Sequence, residues 1–175
     1  RKLGVTVIYV THDQDEALAL SDRVAVMNRG LIEQIDSPDR LYERPASRFV
    51  ADFLGEANLI EASGARTAGE GMIEVSAGPH LLRVNGREGG QSLEVIAIAI
   101  RPERIVVEPS EPLANSLCGE VVSSLYGGDH VMLRVDLGAG TVLSVKRQLD
   151  DRTPPAVGAS VTLGFAAEHA IALAR

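Results

Sequence analysis

A chain of 175 residues with 45% apolar content has length for one or two domains and material for a sizeable core. Its net charge of −7, with three Phe, three Tyr and no Trp, excludes a nucleic-acid platform, which needs basic grooves and stacking rings. Cys118 is alone, which rules out an internal disulfide and fits a reducing cytoplasm; no stretch reaches the ~18 uninterrupted apolar residues of a membrane span, and no basic-then-apolar leader signals secretion.

Residues 5–10 form an uncharged, β-branched run that reads as a strand covered on both faces, as in a parallel sheet. His12 follows it directly, at the edge where open α/β sheets bind ligands. Asp13, Asp15 and Glu16 then crowd the first turn of a short helix over residues 14–21, where negative charge is favoured. In that helix Ala17, Leu18 and Leu20 are available for burial. Residues 23–28 predict a second strand, Arg29-Gly30 a tight turn and residues 31–35 its hairpin partner. Ser37-Pro38 starts a helix, with the Ser37 hydroxyl as cap, and Pro45 interrupts it. Ser47 caps another, whose Phe49, Val50, Phe53 and Leu54 make one apolar stripe that Gly55 ends.

After Gly55 the pattern changes to short apolar runs separated by glycines. Strands are expected over 81–84, 93–100, 117–125, 131–137, 141–145 and 161–165, with 93–100 apolar on both faces. The strand over 131–137 alternates as a half-buried strand should, and glycine turns bracket it, so a meander is expected. This inventory suits a small β-barrel. The stretch 100–107 and the stretch 165–172 share a pattern of strand, two-residue turn, Glu and apolar residues, which suggests equivalent corners of two related half-barrels.

The block Thr11-His12-Asp13-Gln14-Asp15-Glu16-Ala17-Leu18, with Ser21-Asp22-Arg23-Val24-Ala25-Val26-Met27-Asn28-Arg29-Gly30 and Ile32-Glu33-Gln34, resembles the switch-histidine region of ABC-transporter ATPase subunits. Within them it is most similar to importer ATPases of the spermidine/putrescine, iron(III) and maltose type. The likeness continues through Ser37-Pro38, Leu41-Tyr42, Pro45 and Phe49-Val50-Ala51-Asp52-Phe53-Leu54-Gly55. More loosely, the remainder is similar to the OB-like regulatory (TOBE) domain of the same subunits, in which an Arg-Pro-Glu turn such as Arg101-Pro102-Glu103 recurs. The fold class implied is mainly β: an OB-like TOBE β-barrel domain over 57–175, preceded by a partial α/β (P-loop NTPase) segment over 1–56.

By this resemblance His12 is the catalytic and cofactor-binding residue, contacting the γ-phosphate of ATP and the attacking water. Imidazole suits that task, since it can donate to a phosphate oxygen and accept from water. The residues that grip phosphate are not found. Only two lysines occur, Lys2 and Lys146, and neither follows a glycine. Residues 64–69 have the glycine spacing of a phosphate loop, but Glu70 and Gly71 stand where Lys and Ser/Thr belong, so a flexible loop is expected there. Gly89-Gly90-Gln91-Ser92 lacks the preceding Leu-Ser of the signature motif and reads as a β-domain loop, and no apolar run ending in Asp-Glu precedes His12.

The resemblance therefore implies the C-terminal part of a longer ATPase. That parent would bind ATP and Mg2+, work as a homodimer, drive transmembrane permease subunits and serve a periplasmic or extracellular solute-binding protein indirectly. It would sit at the cytoplasmic face of the membrane, while this chain alone is expected to bind no cofactor and to turn over no ATP. His80, His130 and His169 are spaced unlike metal ligands, and no metal is expected. Glu103 and Glu168 read as structural turn residues, and Arg101 as a surface or interface salt bridge in preference to an anion site. The alternative is a β-barrel module sensing a small ligand or oxyanion without catalysis.

Overall fold

The computed structural model describes residues 4–86, 95–150 and 153–174. The glycine-rich stretch 89–92 and the start of the 93–100 strand lie outside the described residues. Ahead of residue 58 the chain makes α1 (Gln14–Leu20), the antiparallel hairpin β1 (Val24–Asn28) and β2 (Leu31–Asp36), and two short helices, α2 (Pro38–Glu43) and α3 (Arg48–Phe53). Arg29 and Gly30 both take positive φ, 49° and 81°, as a two-residue hairpin turn of the mirror-image kind requires. Ser47 caps α3 by accepting from the Val50 amide, and Gly55, at φ 107°, turns the chain out of it. At the start of α2 the Ser37 hydroxyl makes no cap bond. It hydrogen-bonds the Asp39 side chain instead, which holds that carboxyl below its usual range. Val26, Leu41, Val50 and Leu54 close a small core between hairpin and helices, and Leu20, expected to be buried, is exposed.

One expectation fails at the front of the chain. Residues 5–10 form no strand, and Ile8 and Val10 are each 90% exposed. A parallel strand is held by ladders to neighbours and by helices on both faces, and the described residues offer it neither. The segment before residue 58 is thus helices around an antiparallel hairpin, without the expected parallel layer.

From Asn58 on the structure is β, as the sequence implies. The strands are β3 (Asn58–Glu61), β4 (Ser63–Gly69), β5 (Met72–Ala77), β6 (His80–Asn85), β7 (Val95–Ile100), β8 (Val106–Val107), β9 (Asn115–Tyr126), β10 (His130–Asp136), β11 (Val142–Gln148), β12 (Ser160–Phe165) and β13 (Ala170–Ala174). They form a six-stranded sheet, β3-β7-β13-β6-β5-β4, and a five-stranded sheet, β11-β10-β9-β12-β8. One apolar core, with Val84, Ile98, Leu117, Leu133, Leu163 and Phe165 among its members, is shared by both. The stretch 64–69, read as a flexible loop, is most of strand β4. It pairs with β5, Arg66 bridges to Glu74 across the pair, and the turn falls instead at Glu70 and Gly71.

The echo in the sequence is the visible end of a duplication. Strand β7 leads through a 3-10 turn (Pro102–Arg104) into β8, and β12 leads through a 3-10 turn (Ala167–His169) into β13. Each corner carries the chain from one sheet to the other: β13 pairs with β7, and β8 with β12, both antiparallel. Before each corner stands a three-stranded meander, β4-β5-β6 or β9-β10-β11. The first part of β9 pairs with β12 and its remainder with β10, while β3 pairs with β7 and its continuation β4 with β5.

Two buried asparagines mark the same place in both copies. Asn58 lies opposite Ile100, and Asn115 lies opposite Phe165. The Asn58 side chain accepts from the Ser144 amide at 2.7 Å and donates to the Ser144 carbonyl at 2.8 Å. Asn115 does the same to Arg83, with both bonds at 2.8 Å. Each amide thus acts as one extra rung between the sheets. Asn115→Ala would leave a backbone donor and acceptor of Arg83 without those partners, and should cost about 1–3 kcal/mol, read as a lower urea midpoint at unchanged slope.

Candidate functional site

His12 lies in a bend just ahead of α1, and its position follows from the residues around it. Asp13 caps the helix, accepting from the Glu16 amide at 3.1 Å, and Thr11 Oγ1 accepts from the Asp13 amide at 3.0 Å. The Glu16 carboxylate accepts from the hydroxyls of Tyr9 at 3.0 Å and Thr11 at 3.3 Å. These bonds fold the chain back over the start of α1 and leave His12 exposed to solvent. An imidazole so placed can donate to an anion or accept from water. Gln14 is the first helical residue, and Asp13 does the capping.

The other histidines lie elsewhere. His80 opens β6, His169 ends the second 3-10 turn, and His130 opens β10 with its Nδ1 2.6 Å from Asp129. That contact holds the Asp129 carboxyl below its usual range. Among the described residues no group of three His, Cys, Asp or Glu side chains is placed to hold a metal ion.

The most highly organised polar group is one whose partners the sequence did not reveal. Arg101 ends β7 ahead of Pro102, which favours extended backbone before it; φ is −73° and ψ 141°. The side chain is 5% exposed and makes no salt bridge among those the structure shows. Its guanidinium donates to the carbonyls of Ala51 (2.9 Å), Gly55 (3.0 Å), Glu56 (3.2 Å) and Tyr42 (3.3 Å). It also lies over the Tyr42 ring, 4.0 Å from the centroid. Burial lowers its pKa from the ordinary arginine value, yet arginine's starting value is so high that the charge persists. The Tyr42 hydroxyl donates to Glu103 at 2.7 Å; burial, then that carboxylate, push its pKa up to about 12, so it remains a neutral donor. Sequence spacing cannot reveal this arrangement, because a backbone carbonyl leaves no mark in residue type.

Two clefts open among the described residues, the first beside α2 and the second on the barrel. One of about 210 Å3 is lined by Gln34, Asp36, Arg40, Arg44, Asn85 and Gly86 among others. Of its polar side chains, Gln34 donates to the Arg44 carbonyl and accepts from the Ala46 amide, and Arg40 pairs with Asp36. The second, of about 350 Å3, lies beneath residues 109–113 and reaches Asn115, Ser116 and Thr162.

A family model for the TOBE domain matches residues 98–173. Over 162 residues the chain is 43% identical to the Fe(3+) ions import ATP-binding protein FbpC 1 of Rhizobium meliloti, which covers 92% of this chain and 44% of that protein. Over 171 residues it is 37% identical to the spermidine/putrescine import ATP-binding protein PotA 1 of Pseudomonas aeruginosa, covering 98% and 44% respectively. The chain is a relative of the ABC importer ATPase subunits, with a TOBE domain. It spans less than half the length of these relatives. The fold is also that of a cytoplasmic molybdate-binding protein, ModG, at a TM-score of 0.51 and 16% identity, over 75% of this chain and 99% of that one. The TOBE match takes in the first corner, with Arg101, and the whole second copy of the duplicated unit. The first meander lies ahead of it and repeats the same architecture.

Proposed function

We propose that this chain acts as the C-terminal part of the ATP-binding, ATP-hydrolysing subunit of an ABC importer, energising uptake of a solute of the iron, polyamine or sugar class. In this reading residues 1–56 end the nucleotide-binding part and residues 57–175 form the regulatory and dimerising TOBE part. His12 contacts the γ-phosphate of ATP and the attacking water. The relatives' names support this, since proteins called import ATP-binding proteins match 92–98% of the chain. The solvent-facing imidazole between Thr11 and the helix-capping Asp13 is the observation that carries it. ATP and Mg2+ would be gripped chiefly by residues this chain does not contain, so the chain alone turns over no ATP. Its partners would be a second ATPase subunit and the permease subunits, which would hold it at the cytoplasmic face of the membrane; a solute-binding protein outside would act through them.

Grafting residues 1–175 in place of the matching segment of an iron(III) importer ATPase tests this. His12→Ala in that chimera should lower ATP turnover about 10²-fold or more while leaving assembly intact. Unchanged turnover would remove the catalytic role of His12. An oxyanion-sensing role is less well supported: one cleft is lined by Glu111 and no basic side chain, and in the other Arg40 is paired with Asp36.

A further inference from the structure

The two duplicated corners share a backbone and differ at one telling residue. Arg101 and Ala166 each stand between a strand and its 3-10 turn, with φ and ψ of −73° and 141° in one and −75° and 146° in the other. Both corners close the same bond, Arg104 N to Arg101 O at 2.9 Å and His169 N to Ala166 O at 3.2 Å. A corner of this kind therefore folds with alanine at that place. The arginine serves something beyond the barrel.

What it touches shows what that is. Its four acceptor carbonyls lie on α2, on α3 and, at Gly55 and Glu56, on the link that follows α3, and its planar face covers Tyr42 of α2. Where α3 meets the sheet its buried residue is small: Ala51 clusters with Ala97, Ala99, Ile171 and Leu173. Alanines bury little area and interdigitate poorly, so apolar contact alone fixes orientation weakly. The ion pairs at the rim, Arg104 with Glu43 and Arg48 with Glu61, are partly exposed and worth little. A guanidinium fork among four fixed carbonyls is directional.

We propose that Arg101 is a latch: a positioning residue that fixes α2 and α3 on the outer face of the six-stranded sheet, so that everything from α2 onward moves as one body with the barrels. The β1-β2 hairpin is packed on α2 and α3 through Val26, so movement of the His12 segment relative to the barrels is taken up ahead of β1, where α1 has no fully buried residue. The latch stands whether or not His12 meets a nucleotide.

Hydrogen exchange on the whole chain tests it, using Arg101→Ala, which copies the second corner, and Arg101→Lys, which keeps the charge but loses the fork. Amides of residues 42–56 should exchange about tenfold faster or more in both variants, while those of β10 keep their protection. Unchanged exchange over 42–56 would overturn the latch. So would β10 accelerating in parallel, since Arg101 would then belong to the barrel's own stability.

Discussion

Phe165→Ala is expected to lower the unfolding free energy by about 3–5 kcal/mol, the range for truncating a buried phenylalanine. The side chain is fully buried and is the largest such side chain among the described residues. It ends β12, where the strand is about to leave one sheet for the other, and its carbonyl accepts from Asn115 at 3.4 Å. Both sheets contribute to the core around it, and they are fixed by their own ladders and by the Asn58 and Asn115 rungs. The walls can relax little into the space left by a ring, so the cavity contribution should be nearly full. Against a total of about 5–15 kcal/mol for a domain, such a loss leaves the variant marginal. A urea titration followed by circular dichroism measures it. Leu125→Ala is the control: this residue is 63% exposed on the same sheet and should change stability by no more than about 0.5 kcal/mol. A Phe165→Ala loss under about 1 kcal/mol would mean that the two sheets adjust freely.

How much of this was legible depended on whether a residue's partner leaves a trace in the chain. β10 was plain because a strand with one face on a core alternates, and Val131, Leu133 and Val135 are the buried set. β7 read as apolar on both faces for a physical reason: Ile98 and Ile100 enter the shared core, while Ala97 and Ala99 lie under α3. The corner echo pointed to a duplication because its turns need the same backbone. The rest of the repeat was hidden, since Asn58 and Asn115 are ordinary polar residues until the strands that they join are known. Residues 5–10 misled in the opposite way. Their composition is that of a buried strand, but composition cannot supply the neighbouring ladder a strand requires. Glycine spacing misled over 64–69 because glycine suits loops and strand irregularities alike, and the register here shifts between Ser63 and Arg66. Of the candidate site, Asp13 as a cap was readable from its place before α1. His12 was singled out by the block around it, and its role remains the proposal made above.

A chain beginning at residue 57 should be about 3–6 kcal/mol less stable than the whole, although every strand of both sheets would be retained. The estimate comes from Leu173 and Ile171, which α3 helps to cover, at about 1.5–3 kcal/mol for each large aliphatic side chain returned to water. Losing the carbonyls of α2 and α3 adds little, because the Arg101 guanidinium would return to water together with its charge. The newly bared face of Ala97, Ala99, Ile171 and Leu173 is a contiguous apolar patch on a sheet, and such a patch favours self-association. Urea titration and sedimentation should therefore show a weakened, concentration-dependent species. A chain beginning at residue 21 keeps the hairpin that covers Leu41, Val50 and Leu54 as well as α2, α3 and the Arg101 contacts, and should recover most of the loss as a monomer. If the residue-57 chain proved as stable as the whole and monomeric, the helices would be passengers on the barrel. If only the residue-21 chain holds, the physical unit starts at the β1-β2 hairpin, well ahead of the point where the barrel strands begin.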